Sequence, residues 1–141
     1  MAEDRIGLPP DATSVVVPHG IDAVAVGFLG SYADPRRENE VAEAVSAANA
    51  GKSVVVSHDI TGEFREYERL NTTLLAAYLG PLVGDYLEGL ERRVVPEFSE
   101  RVLVMRSSGG LVPPDGAARN AASILLSGPA GGVVAAAELG R

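Results

Sequence analysis

Three short stretches carry residue types and spacings that suit chemistry. The first, Arg65-Glu66-Tyr67-Glu68-Arg69, sets two guanidiniums and two carboxylates within five residues. Such a set can line a cleft, or it can be a solvated first helical turn whose local ion pairs stabilise by roughly 0.2–0.5 kcal/mol each. The second, Ser107-Ser108-Gly109-Gly110, directly follows an apolar run. A Ser/Gly turn beyond the carboxyl end of a strand leaves backbone N–H groups able to approach a ligand; it can equally be a simple turn. The third is Ser127-Gly128-Pro129-Ala130-Gly131-Gly132, which closes one apolar run and opens another. Pro129 suits a first helical turn, where its missing N–H costs nothing. A helix N-terminus there would attract anions, while the bland alternative is a tight turn with a small-residue packing face. Neither G-x-x-x-x-G-K-[ST] nor G-x-G-x-x-G occurs.

Elements that could position these stretches follow from hydrophobic patterning. The nearly all-apolar run from Ile21 to Leu29 reads as a strand covered on both faces, the signature of a parallel sheet. Asp34-Pro35 predicts a helix start, with Asp34 as N-cap and Pro35 at the first position. Val41, Ala44, Val45 and Ala48 recur at helical spacing, and Asn49-Ala50-Gly51 stops the helix. A second strand, Ser53 to Ser57, completes a strand–helix–strand unit with a right-handed crossover.

The longest periodic segment follows the charged cluster. Leu74, Leu75, Tyr78, Leu79, Leu82, Val83, Tyr86, Leu87 and Leu90 predict one apolar stripe on a long helix. Pro81 is expected to kink or divide it, and Val94-Val95-Pro96 to end it. Arg101 to Met105 reads as a third strand, Pro113-Pro114-Asp115 starts a short helix, and Ala122 to Leu126 reads as a fourth strand. A last helix runs to a stop at Gly140. Residues 1–19 are loop-like, with a possible short strand at Ser14 to Val17, and residues 20–141 form a single α/β domain with a mixed or parallel sheet.

Composition narrows the function. With 12 basic against 19 acidic residues the formal charge is −7, which argues against nucleic-acid and anionic-membrane surfaces. The absence of cysteine removes disulfides, thiolate metal sites and cysteine nucleophiles. His19 and His58 are isolated, with no partners at metal-ligand spacing, so no metal site is expected. There is neither a signal-peptide pattern nor an apolar run of transmembrane length, and the expectation is a soluble cytoplasmic chain.

Several blocks together resemble the hydantoinase A/oxoprolinase family. They are Arg65-Glu66-Tyr67-Glu68-Arg69 with Thr72-Thr73 and Ala77-Tyr78-Leu79-Gly80-Pro81-Leu82, then Met105-Arg106-Ser107-Ser108-Gly109-Gly110, then Leu125-Leu126-Ser127-Gly128-Pro129-Ala130-Gly131-Gly132. The blocks occur in the family's order. The family commonly carries Gln where Arg106 stands and Asn where Ser108 stands. Its members include ATP-dependent hydantoinases, 5-oxoprolinases and acetone carboxylases, and they are similar to actin and sugar kinases in their ATP-binding architecture.

The resemblance implies an internal fragment of such an enzyme, part of an actin-like ATPase lobe, which hydrolyses a cyclic amide or carboxylates a ketone through a phosphorylated intermediate. It implies ATP and Mg²⁺ in a full-length relative, bound mainly by phosphate loops that this sequence lacks, and no tight nucleotide binding or activity by the chain alone. Arg65, Glu66, Tyr67, Glu68 and Arg69 become candidates for a substrate cleft. Ser107, Ser108, Gly109, Gly110, Ser127 and Gly128 become candidates for a nucleotide cleft. Pro129, Ala130, Gly131 and Gly132 resemble the start of a small-residue connecting helix between lobes, a hinge rather than a phosphate loop. Expected partners are the rest of the enzyme or a partner subunit, a small-molecule substrate and a possible homo-oligomer. The alternatives are a non-catalytic α/β interaction module that pairs with such a partner and, more weakly, a free-standing small-molecule binding domain using the turn at residues 107–110.

Overall fold

Two short parallel strands form the hub, β1 (Ala23–Val26) and β2 (Ser53–Val56). They pair in register, Ala23 with Ser53 through Val26 with Val56. The connection between them carries α1 (Arg36–Ala48), so the strand–helix–strand unit read from the sequence is present and parallel. The computed structural model describes residues 17–49, 51–98 and 101–141. The suggested strand at residues 14–17 and most of the loop-like N-terminal segment lie outside the described residues.

Alternation along the strands separates two faces. Ala23, Ala25 and Val55 turn toward α3 (Glu66–Phe98) and pack with its Ala76 and Ala77, joined by Ile60 and Ala122. The other face, bearing Val26 and Val56, is covered by α1, whose Val45 is buried. Covering on both faces is why the strands read as continuous apolar runs. Between β2 and α3 lies the one-turn helix α2 (Ser57–Ile60).

Several boundaries differ from expectation. Strand β1 stops at Val26, because the chain turns away at Gly27. A Cβ on Gly27 would stand 2.1 Å from Leu70 Cδ2, so a larger residue there would force the Leu70 side chain to move. Helix α1 begins one residue later than expected, with Pro35 in the N-cap position. Asp34 instead accepts the Arg36 N–H at 3.2 Å and the Arg36 guanidinium at 2.8 and 2.6 Å.

Helix α3 is a single 33-residue helix that contains both Pro81 and Pro96. Pro81 does not divide it, and the helix passes Pro96 to Phe98. The turns flanking Pro81 pack on the sheet and on α4 (Pro114–Arg119), and this packing offsets the missing hydrogen bond. The apolar stripe is only partly buried. The buried face consists of Thr73, Ala76, Ala77, Gly80 and Leu87, whereas Leu74, Leu75, Tyr78, Leu82 and Tyr86 are exposed. Small residues permit the closest approach: a Cβ on Gly80 would lie 3.1 Å from the Ala118 carbonyl oxygen.

The last forty residues depart most from the reading. The third strand shortens to β3 (Val104–Met105), which pairs antiparallel with β4 (Leu111–Val112) in a separate two-stranded ladder. Among the described residues the strands therefore form one parallel and one antiparallel pair. Residues 122–126 are not a strand. They include most of a 3₁₀ turn (Ala121–Ile124), whose Ala121 is fully buried beside α3. Leu126 then takes a left-handed conformation at φ 60° and launches α5 (Ser127–Leu139). Gly140 ends α5 as read, its N–H donating to the Ala136 carbonyl at 3.1 Å. Among the described residues, no helix is long and apolar enough to cross a membrane.

Candidate functional site

The carboxyl ends of β1 and β2 open into loops that meet the first turns of α1 and α3. This is the edge of a parallel sheet at which α/β proteins place their chemistry. Here the chain gathers Phe28 and Ser31 from the β1 loop, Glu38 from α1, Ser57 and His58 from the end of β2, and Arg69 from α3.

Glu38 lies at the centre and is fully buried. Its Oε1 accepts the Phe28 N–H at 2.8 Å and the Ser57 hydroxyl at 2.6 Å. Its Oε2 accepts the His58 N–H at 3.1 Å and stands 2.8 Å from His58 Nδ1. A carboxylate so placed is acceptor-only and meets donors on both oxygens. Burial pushes its pKa up, but the donors from Ser31, Ser57, His58 and the Phe28 N–H outweigh burial and hold it at about 2.

Arg69 completes the cluster from the other side and is 1% exposed. Its Nε donates to Ser57 Oγ at 3.0 Å, and its terminal nitrogens donate to the Glu63 carbonyl at 2.7 Å and the Phe28 carbonyl at 3.0 Å. A weaker contact reaches Ser31 Oγ at 3.3 Å, and the guanidinium stands 5.8 Å from the Tyr32 ring centroid. Glu38 and Arg69 thus share Ser57, whose hydroxyl donates to the carboxylate and accepts from the guanidinium. The buried charges are compensated through one serine, and the loops after both strands are pinned to α1 and α3.

The arrangement is closed. Its charged members engage each other and the backbone rather than an opening. The partly open group is His58, 17% exposed, whose Nε2 stands 3.3 Å from Asp59 Oδ1.

The sequence-derived candidates divide accordingly. Arg69 is inside the cluster, and Glu66 is tied to it by accepting the Gly30 N–H at 3.4 Å. Arg65 and Glu68 are exposed and form an i,i+3 pair at 3.6 Å, and Tyr67 is exposed beside them. Ser107, Ser108, Gly109 and Gly110 form the turn between β3 and β4, with Gly109 and Gly110 at φ +89° and +80°. Ser107 donates through both N–H and Oγ to the Ser123 carbonyl, at 2.8 and 2.9 Å. The Arg106 and Gly109 N–H groups are likewise engaged, by the Gly110 and Arg106 carbonyls. Ser127 and Gly128 start α5, and Pro129, Ala130, Gly131 and Gly132 continue it. Gly131 lies against β3, where a Cβ would stand 3.1 Å from Met105 Sδ.

The family assignment comes from comparison. The sequence model of the family described as Hydantoinase/oxoprolinase matches residues 69–141, just over half of the chain. The chain belongs to the hydantoinase/oxoprolinase family. The match begins at Arg69 itself and includes the Ser107 turn and α5.

Relatives extend the similarity toward the N-terminus. The chain is 32% identical over 111 residues to a caprolactamase subunit alpha of Pseudomonas jessenii, covering 78% of this chain and 16% of that one. It is 35% identical over 116 residues to 5-oxoprolinase 1 of Arabidopsis thaliana, covering 82% and 9%. Among solved structures it resembles nucleotide-free acetone carboxylase, with a TM-score of 0.69 at 27% identity, covering 84% of this chain and 17% of that one. The chain therefore spans less than a fifth of the length of these relatives.

Sequence reasoning reached Arg69 but missed Glu38, Ser31 and Ser57, and it set His58 aside as isolated. One signal was available. Glu38 lies seven residues before Val45 and so shares the apolar side of α1. A carboxylate on a buried stripe requires partners.

Proposed function

We propose that this chain is part of an ATP-dependent enzyme of the hydantoinase/oxoprolinase type, acting on a cyclic amide or a ketone by way of a phosphorylated intermediate. Within it, the chain supplies a rigid wall rather than the reacting groups. The observation that carries this reading is the closed Glu38–Ser57–Arg69 cluster at the carboxyl edge of the parallel strands. All three side chains hold the frame, on a chain whose family relatives are enzymes several times longer.

ATP and Mg²⁺, implied by the family, do not fit the residues present here as a complete site. The N–H groups of Arg106, Ser107 and Gly109 already donate within the chain. Among the described residues no group of three His, Asp or Glu side chains could hold a metal ion. Nucleotide and metal ligation is therefore assigned to other parts of a family-length polypeptide. In this reading the fold is part of an actin-like lobe and α5 is the helix that connects lobes. Its small residues support a sliding contact in a shear-type closure.

Calorimetric titration with Mg-ATP tests the proposal. The 141-residue chain is expected to bind no nucleotide, and a family-length polypeptide that contains it is expected to bind. Tight binding by the short chain, weakened by Ser107→Ala, would overturn the assignment.

A second reading, a non-catalytic interaction module, is favoured by the exposure of α5. Val133 and Leu139 stand open to solvent along it, and a partner subunit would cover them.

A further inference from the structure

Helix α3 is apolar on two opposite sides. The inner side is narrow and small, with Ala76, Gly80 and Leu87 buried against the sheet and α4. The outer side carries Tyr67, Tyr78, Leu82 and Tyr86, exposed by 77, 74, 68 and 62%. At 3.6 residues per turn these four lie, with Leu74 and Leu75, on one seam diametrically across from the buried face, and the seam also carries the exposed polar Asn71 and Asp85. A helix that is hydrophobic all round is normally covered all round. The seam's three tyrosines match the aromatic enrichment of interface cores.

We propose that this seam is a self-association surface, occupied by α3 of a second copy of this chain in antiparallel orientation. Charge complementarity selects this occupant. Exposed Glu68 lies near the start of the seam, and exposed Arg92 and Arg93 lie near its end. A two-fold axis passing between Gly80 and Pro81 sets Glu68 of one copy against Arg93 of the other. The same axis sets Leu75 against Tyr86 and Leu79 against Leu82. The pairing therefore places opposite charges together at both ends and apolar side chains together between them. A parallel pair would instead juxtapose Glu68 with Glu68 and Arg93 with Arg93. The seam runs for about 39 Å between residues 67 and 93 at 1.5 Å per residue. This proposal is independent of the nucleotide reading and stands or falls separately from it.

Sedimentation velocity of the full chain over a wide concentration range tests it, with circular dichroism as a check on folding. The expected result is a reversible dimer weakened by salt. Leu82→Glu is expected to raise the dimer dissociation constant by at least about tenfold. Glu68→Arg alone and Arg93→Glu alone are each expected to weaken the dimer. The double variant Glu68→Arg/Arg93→Glu is expected to restore it to within about threefold of the original, since the pair is re-formed with its signs exchanged. A chain that is monomeric throughout overturns the proposal and assigns the seam to another surface, such as the remainder of a family-length polypeptide. A dimer indifferent to Leu82→Glu, or a double variant no tighter than the single ones, overturns it equally.

Discussion

At the scale of single residues, the interior polar cluster makes the sharpest demands. Glu38 faces donors on both oxygens, so Glu38→Gln must turn its amide NH₂ toward either the Ser57 and Phe28 donors or the His58 donors. Either orientation sets donor against donor, and the expected loss is about 2–4 kcal/mol of stability, read by urea denaturation. Arg69→Met keeps much of the volume but leaves the Glu63 and Phe28 carbonyls and Ser57 Oγ without their donor, for an expected loss of about 3–5 kcal/mol.

The same carboxylate sets an acid limb. The folded chain holds Glu38 at about 2, below its ordinary 4.5. Folding therefore gains stability that is fully present above the ordinary value and is lost as pH falls through about 2. The gap corresponds to about 3 kcal/mol at most. Stability curves of the unaltered chain are expected to fall between about pH 5 and 2, and those of Glu38→Gln to be flatter across that window. Equal slopes would remove Glu38 from the acid response. The cluster was only partly legible in the sequence. The density of charge at Arg65 through Arg69 announced something, but which arginine turned inward depended on helical phase relative to a sheet not yet built. Glu38 and Ser57, nineteen residues apart, meet only through the parallel pairing of β1 and β2.

At the scale of elements, α3 shows why hydrophobic periodicity gave the right helix without telling which of its faces is buried. Leu74, Tyr78, Leu82 and Tyr86 dominate any apolar pattern because they are large. The face against the sheet is chosen by closeness of approach, which favours Ala76, Ala77 and Gly80. Two glycines on this helix test the distinction. Gly80 is backed by the Ala118 carbonyl, whereas a Cβ on Gly89 would meet nothing within 4 Å. Gly80→Val is expected to destabilise by about 1–3 kcal/mol through overpacking. Gly89→Ala is expected to stabilise by up to about 1 kcal/mol through helix propensity. Thermal unfolding of the two variants should shift in opposite directions, and a shared direction would show that propensity rather than packing governs both sites. The C-terminal elements were less legible still. The apolar run at residues 122–126 satisfies a strand pattern by composition, yet Ala121 is drawn beneath α3, and a 3₁₀ turn is the short way to bring it there.

At the scale of the whole molecule, stability is distributed unevenly along the chain. The parallel strands are packed on both faces, by α1 on one and by α3 on the other, and α4 and the 3₁₀ turn pack on α3. Helix α5 stands apart. None of its residues is buried, and its packing against the described elements is concentrated at β3, where Gly131 meets Met105. Isolated helices of this length are marginal in water even with good propensity, and Gly128, Gly131 and Gly132 lower that propensity further. Amide hydrogen exchange should therefore divide the molecule. Amides of α5 are expected to exchange orders of magnitude faster than those around Ala76 and Ala77, which open only with the whole fold. Within a family-length polypeptide the α5 amides should gain protection while those around Ala76 and Ala77 change little, because only α5 acquires a new covering surface. Protection of α5 in the short chain equal to that of α3 would mean that the helix is held by this chain alone. It would also remove the reason for treating α5 as the element that joins this wall to the rest of an enzyme.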